Sequence, residues 1–411
     1  MKFNHRLISI LSSKTDNIDN KMKITENIKT EIIAHYDVAV CGGGIAGISA
    51  ALAAARRGAS VLLVETSYIL GGLATSGLVT EYLPLCNGLG RQVSFGICEE
   101  LIRLSAKHGL DGDYDGAEWF SANPREKRIE HRFEVQYNPH FFAIDTEQLL
   151  RSNGVDILYG TKVCGVKTEN KILTHIIIEN KSGRSAIAVD AAVDATGDAD
   201  IFWYAGTKTN TFKAKNVLAC WYYFEGEKGV QLKVLGYAEN PHADKIEALI
   251  DRRFSGLDGK DNSEMVQLAH DQILADIERM GVRPATLPTI PQLRMTRKLI
   301  GKYELDAAEM HKRFESSIGM IGDWRECGPV YEIPFETLCT DECRNVFAAG
   351  RCISVTDSMW DISRVIPACA VTGEASGIAA ALTAKNGGID ISVLQKVLMH
   401  GGVVLHKDEL A

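Results

Sequence analysis

The stretch YDVAVCGGGIAGISAALAAARRGASVLLVE, from Tyr36 to Glu65, constrains this chain more than any other feature. Asp37–Val40 is a short apolar strand, residues 45–57 are alanine-rich and read as a helix, and ASVLLVE is a second buried strand. Strand, glycine turn, helix and strand make a βαβ unit, whose two strands lie parallel. The turn is Gly42-x-Gly44-x-x-Gly47. Gly42 permits the tight bend, Gly44 lets backbone approach a pyrophosphate, and Gly47 allows close packing of helix on strand. Together with Gly43, Ile45 and Ala46 they form a helix start, whose N–H groups favour an anion. Glu65 closes the second strand 18 residues past Gly47. A carboxylate there accepts ribose hydroxyls and repels a 2′-phosphate, so the turn by itself admits NAD or the ADP half of FAD.

The rest of the chain extends this unit. Residues 85–140 read as irregular and polar, with DGDYDG as a loop. PHFFAIDTEQLLRSNG reads as a helix that starts near Pro139 and stops at Gly154. VDILYG is a third parallel strand. KVCGVKTE, ILTHIIIE and SAIAVDAAVDATG, separated by short breaks, make a β-meander that feeds back into a core strand. Residues 206–330 differ in texture, with the aromatic CWYYFEG, the charged helical run SEMVQLAHDQILADIERMG and the proline loop RPATLPTIP. NVFAAGRCIS is again a buried strand, and PACAVTGEASGIAAALTAKNGG is a small-residue helix with Pro367 at its start and Gly387 past its end. The expected fold class is α/β: a Rossmann-like, doubly wound binding domain with a β-meander and an inserted α+β substrate domain. Its divisions are an extension (1–34), the first part of the binding domain (35–205), the insertion (206–330), the return segment (331–390) and a C-terminal tail (391–411).

Three further segments accompany the first turn. GGLATSG, containing Gly71, Gly72, Leu73 and Thr75, follows Glu65 closely; a glycine pair there lets the chain pass near an extended ligand. VDATGDAD, with Ala195, Thr196 and Gly197, is a strand exit. NVFAAGRCIS…SRVIPACAVTGEASGIAAAL opens a helix after a strand glycine. Together these resemble the FAD-dependent oxidoreductase family of the glutathione-reductase-like superfamily, in its fumarate-reductase-related branch. The likeness runs from about Ile24 to Leu382 and is most specific at the two ends. It implies FAD as cofactor, with the glycine turn on the pyrophosphate and Gly71, Gly72, Leu73, Thr75, Val163, Ala195, Thr196, Gly197, Gly350, Arg351, Pro367 and Gly373 beside it. Many relatives carry an acidic residue where this chain has Arg351. The start of the closing helix would point at the flavin N1–C2=O edge, where positive potential stabilises the reduced, anionic ring.

Other classes are disfavoured. A net charge of −8 gives no footprint for nucleic acid. No uninterrupted apolar run reaches about 18 residues, so no membrane association is expected. The ten cysteines contain no CxxC pair, no metal set is apparent, and reduced thiols fit a cytoplasmic protein. LISIL near the N-terminus is short for a secretory segment, Met22 is an alternative start, and KDEL is followed by Ala411. There is no second glycine turn after a strand, no CxxxxC pair and no G-x-S-x-G elbow.

The expected reaction is hydride transfer between a small-molecule substrate and flavin N5, with an unidentified electron acceptor or donor and a possible homo-oligomer. Fumarate-reductase-like reduction of an activated C=C is one alternative, and a partner-binding or RNA-modifying flavoprotein is another. Candidate catalytic groups are Arg364, before the closing helix, Arg294 and Arg297 in LRMTR, which would share a face on a helix, and His140. His311, Tyr82, Trp360 and Cys86 are secondary candidates.

Overall fold

Seven strands build the central sheet: β1 (Ile32–Cys41), β2 (Val61–Val64), β3 (Val155–Leu158), β4 (Lys162–Glu169), β5 (Ile172–Asn180), β6 (Gly183–Asp194) and β7 (Val346–Ala348). The computed structural model describes residues 25–83, 85–108, 135–236 and 248–410. The sheet order is β3-β2-β1-β6-β5-β4, with β7 also paired to β6. β3, β2, β1, β6 and β7 run parallel. β4, β5 and β6 form the antiparallel meander. Strand β6 serves both because it is 12 residues long. Its first half pairs with β5, His175 opposite Ala188, and its last three residues pair with β7, Asp194 opposite Ala348. Val38 to Cys41 are completely buried, as expected for a parallel strand covered on both faces.

Two small-residue helices cover one face. Helix α1 (Ile45–Ala55) follows the glycine turn, and a long helix, Ile366–Asn386, lies across it. A Cβ on Gly373 would stand 2.3 Å from the Ala46 carbonyl oxygen, and one on Gly377 would stand 2.1 Å from that of Ala50. Residues four apart share a helix face, so two glycines on one helix meet the backbone of the other directly. Between them lies α2 (Pro139–Ser152) in chain order. Asn138 caps it by accepting from the His140 and Phe141 N–H groups, and it ends just before Gly154, whose φ is +79°. The long closing helix is hereafter α3.

By length and mean hydropathy α3 would suffice to cross a membrane, although Glu374 and several hydroxyls interrupt its apolar run. In this fold 89% of that window is buried within the protein.

The polar stretch after residue 85 is less irregular than its composition suggests. Ile97–Ala106 is a helix that buries Ile97, Cys98, Leu101, Ile102 and Ser105 along one side. DGDYDG and residues 1–24 lie outside the described residues. Within 206–330, a three-stranded sheet is ordered Gly229–Lys233, Tyr222–Gly226, Arg283–Thr286. Pro284 of RPATLPTIP therefore sits on an edge strand, where its missing N–H is tolerated. Helix Gly259–Met280 closes a second core around Tyr222, Phe254, Met265 and Ile273. At the C-terminus, helix Ile391–His400 is followed by a segment tied back by His406, whose ring lies 3.0 Å from Glu332.

Candidate active site

The carboxyl ends of β1, β2, β6 and β7 converge on a cleft of about 1520 Å³. Each hydrogen-bond ladder runs on one step past its strands. Gly42 N–H donates to Val64 O at 2.8 Å, Ala195 N–H to Cys41 O at 2.9 Å, and Ala349 N–H to Asp194 O at 3.0 Å. This is the crevice where open α/β sheets bind ligands.

One wall is almost entirely backbone. Gly42 has φ +106°, and a Cβ there would stand 2.4 Å from Ala195 O. A Cβ on Gly47 would stand 1.8 Å from Gly42 O, which is the close helix–strand approach its position implies. A Cβ on Gly44 would meet nothing within 4 Å, because that face opens into the cleft at the start of α1. The GGLATSG loop lies alongside: Gly71 N–H donates to Gly43 O at 2.8 Å, and Gly72 lies beside Gly44. Glu65 faces the cleft and also braces the turn. Its carboxylate accepts from Gly43 N–H at 2.7 Å, Ser67 N–H at 2.7 Å and the Thr66 hydroxyl at 3.1 Å. At the other end, Ile366 and Cys369 of the first turn of α3 line the cleft, so the positive end of that helix faces it. Burial raises the Cys369 thiol to about 11, and it donates to Arg364 O.

The facing wall is made of side chains from the 206–330 segment: Gly256, Asn262, Ile290, Pro291 and Leu293. It is stitched to GGLATSG, with Thr289 N–H donating to Ser76 O at 2.8 Å and Gln292 Nε2 to Gly77 O at 2.6 Å. The stretch around LRMTR is extended, not helical, so Arg294 and Arg297 diverge. Arg297 turns to Asp200 and the Asp198 carbonyl and stacks 4.7 Å from the Trp203 ring. Arg294 is buried 5.6 Å from the Trp221 ring.

Fourteen of the residues expected beside a dinucleotide line this cleft: Gly42, Gly44, Ile45, Ala46, Glu65, Gly71, Gly72, Leu73, Val163, Ala195, Thr196, Gly197, Gly350 and Arg351. Arg364 lines it as well. Gly43, Gly47, Thr75, Pro367 and Gly373 do not. Gly43 carries the N–H that holds Glu65. Thr75 donates its hydroxyl to Leu70 O, Pro367 opens α3, and Gly373 packs α3 on α1. Arg351 lies over Gly197 and donates to Leu293 O at 3.0 Å, joining the two walls. His140 is exposed at the start of α2, away from the cleft. Tyr82 and Trp360 are core residues, with Trp360 Nε1 donating to Arg351 O at 2.9 Å. His311 lies 2.9 Å from the Lys407 ammonium. Sequence reasoning missed Asn262, Gly256, Lys162 and Cys369, all of which line the cleft. Among the described residues no group of three or more His, Cys, Asp or Glu is placed to hold a metal.

The open face of Gly44, the adjoining helix start, the glycine loop and the second helix start fit an extended dinucleotide with an anionic centre and a far aromatic ring. Such a cleft defines a flavoprotein of the Rossmann-like class. The chain matches the model of the FAD dependent oxidoreductase family over residues 37–219 and 231–398, and it belongs to that family. It is an FAD-dependent oxidoreductase, with FAD as its cofactor. A 94-residue stretch is 29% identical to thioredoxin reductase of Ureaplasma parvum serovar 3, covering 23% of this chain and 29% of that enzyme. Among solved structures, a geranylgeranyl bacteriochlorophyll reductase-like protein from Thermoplasma acidophilum is 14% identical at a TM-score of 0.47, covering 90% of this chain and 82% of the other. An L-amino acid deaminase from Proteus myxofaciens is 12% identical at 0.44, covering 91% and 96%.

Proposed function

We propose that the protein transfers a hydride between a small-molecule substrate and the flavin, with residues 206–330 serving as the substrate domain. The observation that carries this reading is the composition of the cleft: one wall is bare backbone at the carboxyl ends of the sheet, and the other is side chains from a separately cored segment. FAD supplies a hydride acceptor or donor at its N5. Gly42 to Ala46 and Glu65 bind its adenosine diphosphate half, and the first turn of α3 places a fixed positive potential at the ring end. Gln292 and Thr289 hold the substrate wall against the GGLATSG loop, which keeps substrate and ring in register. No second glycine turn follows a strand, so the other redox partner reaches the flavin as a separate molecule.

Purified protein should be yellow with FAD near one per chain. In an anaerobic panel of sugars, hydroxy acids and enoates, at least one member should bleach or reoxidise the bound flavin. A colourless protein whose melting temperature does not respond to FAD sinks the reading. Bound flavin that no substrate changes would leave a binding protein. Bleaching by a hydroxy acid and reoxidation by an enoate would separate dehydrogenation from reduction of a C=C bond.

A further inference from the structure

The charges around Arg294 do not balance. Four arginines gather where the substrate wall meets the start of α3. Arg325 is paired bidentately with Asp323, at 3.0 and 2.9 Å. Arg364 donates from Nε to Asp361 Oδ1 at 2.9 Å, and Arg325 approaches the other Asp361 oxygen at 3.6 Å. Arg351 has Asp198 at 3.9 Å. These three carboxylates serve three guanidinium groups.

Arg294 has no carboxylate partner among the described residues, and the one side-chain hydrogen bond it makes runs from Nη1 to Gln292 O at 3.2 Å. It is 6% exposed. Burial lowers its affinity for the proton, the charges of Arg364 and Arg351 lower it further, and Asp361 opposes them; the guanidinium is pushed down to about 9. A buried cation with neither water nor a counter-ion is costly, and an anion of the right shape relieves that cost. Trp221 and Trp324 bound the group, lying 5.6 Å from Arg294 and 5.7 Å from Arg364. Arg351 and Arg364 line the cleft, and Leu293 beside Arg294 does too.

We propose that Arg294, assisted by Arg364, binds the carboxylate of the substrate, so that the substrate class is small carboxylic acids. A guanidinium presents a planar fork that matches a carboxylate. This rests on the hydride-transfer reading of the cleft. Arg364, already held by Asp361, then fixes orientation, while Arg294 supplies the uncompensated charge.

The test titrates holoenzyme with benzoate and propionate, each against its neutral amide, by flavin difference spectra and calorimetry. Each acid should bind at least about tenfold more tightly than its amide. In Arg294→Gln that preference should disappear with FAD per chain unchanged, and Arg294→Lys should restore part of it. Wild-type holoenzyme that binds acid and amide alike overturns the inference while leaving the flavoenzyme reading intact. Absence of bound FAD removes both. If Arg294→Gln keeps the acid preference but lowers the flavin reduction potential, Arg294 serves the reduced ring and the inference is also overturned. Should Arg294→Gln not fold, the wild-type acid–amide comparison still decides.

Discussion

The two walls of the cleft are built by opposite means. The glycine wall binds through backbone at positions where no side chain fits: a Cβ on Gly42, Gly47 or Gly373 would lie between 1.8 and 2.4 Å from a carbonyl oxygen. The substrate wall binds through side chains that compact folding brings together from distant places, such as Asn262, Leu293 and Arg294. The first is fixed by sterics and tolerates almost nothing. The second is fixed by charge and hydrogen bonding, and it is free to change with the substrate. A family can therefore keep one cofactor and vary its chemistry.

The largest effect should come from within the glycine wall. Gly47→Ala should destabilise the protein by about 3 kcal/mol, the upper end of overpacking costs, because the helix or the turn must move. Gly44→Val, three residues away, meets open space and an extended φ of −70°. Its apoprotein should unfold within about 1 kcal/mol of wild type, while FAD per chain falls by at least about tenfold. Urea unfolding and flavin absorbance measure both. If Gly44→Val destabilises the apoprotein as much as Gly47→Ala, the open face is not the ligand's.

The scaffold behind that wall carries its own polar group. Glu374, buried in α3, accepts from Ile97 N–H at 2.8 Å and so caps the helix Ile97–Ala106. Burial raises its carboxyl from 4.5 to about 7. A folded-state value above the unfolded one favours the fold while the group is protonated. That contribution is complete below the unfolded value of 4.5 and is lost as pH rises through about 7. Glu374→Gln stays neutral, so between about pH 5 and pH 8 wild type should lose up to about 3 kcal/mol relative to it. Parallel unfolding curves for the two proteins across that range would remove Glu374 as the cause.

What was legible in the sequence follows the same division. The βαβ unit, the meander and the cleft-facing glycines could be read because parallel strands demand apolar runs and tight turns demand glycine. Gly373 was readable as part of a cofactor segment, yet its neighbour is Ala46 O of α1. A glycine needed for helix packing and one needed for a ligand look alike in sequence. LRMTR has the spacing of a helix face but runs extended, because Thr209–Thr211 takes Arg297–Leu299 as a strand partner and Asn216 Oδ1 accepts from the Arg294 and Met295 N–H groups. Neither partner is near in sequence, so local pattern could not reveal them. The helix at Ile97–Ala106 was readable in principle from its apolar spacing, although the polarity around it hid the pattern. His140 drew notice through its range of titration alone, and chemistry without placement selects surface residues as readily as catalytic ones.

The smallest expected effect bears most directly on the substrate wall. Asn262 lines the cleft; its Nδ2 donates to Gly256 O at 3.1 Å, while Oδ1 is buried with no hydrogen-bond partner. A buried acceptor left alone offsets the bond its amide makes, so Asn262→Ala should cost the apoprotein no more than about 0.5 kcal/mol. If that oxygen is there to accept from a bound molecule, the same change should cost the FAD-loaded protein about 1 kcal/mol more. The comparison is between apo and holo unfolding, so a general loss of packing cancels. Equal losses in the two forms would make Asn262 a structural tie of the loop at Gly256, and the substrate wall would then act through Arg294 and its neighbours alone.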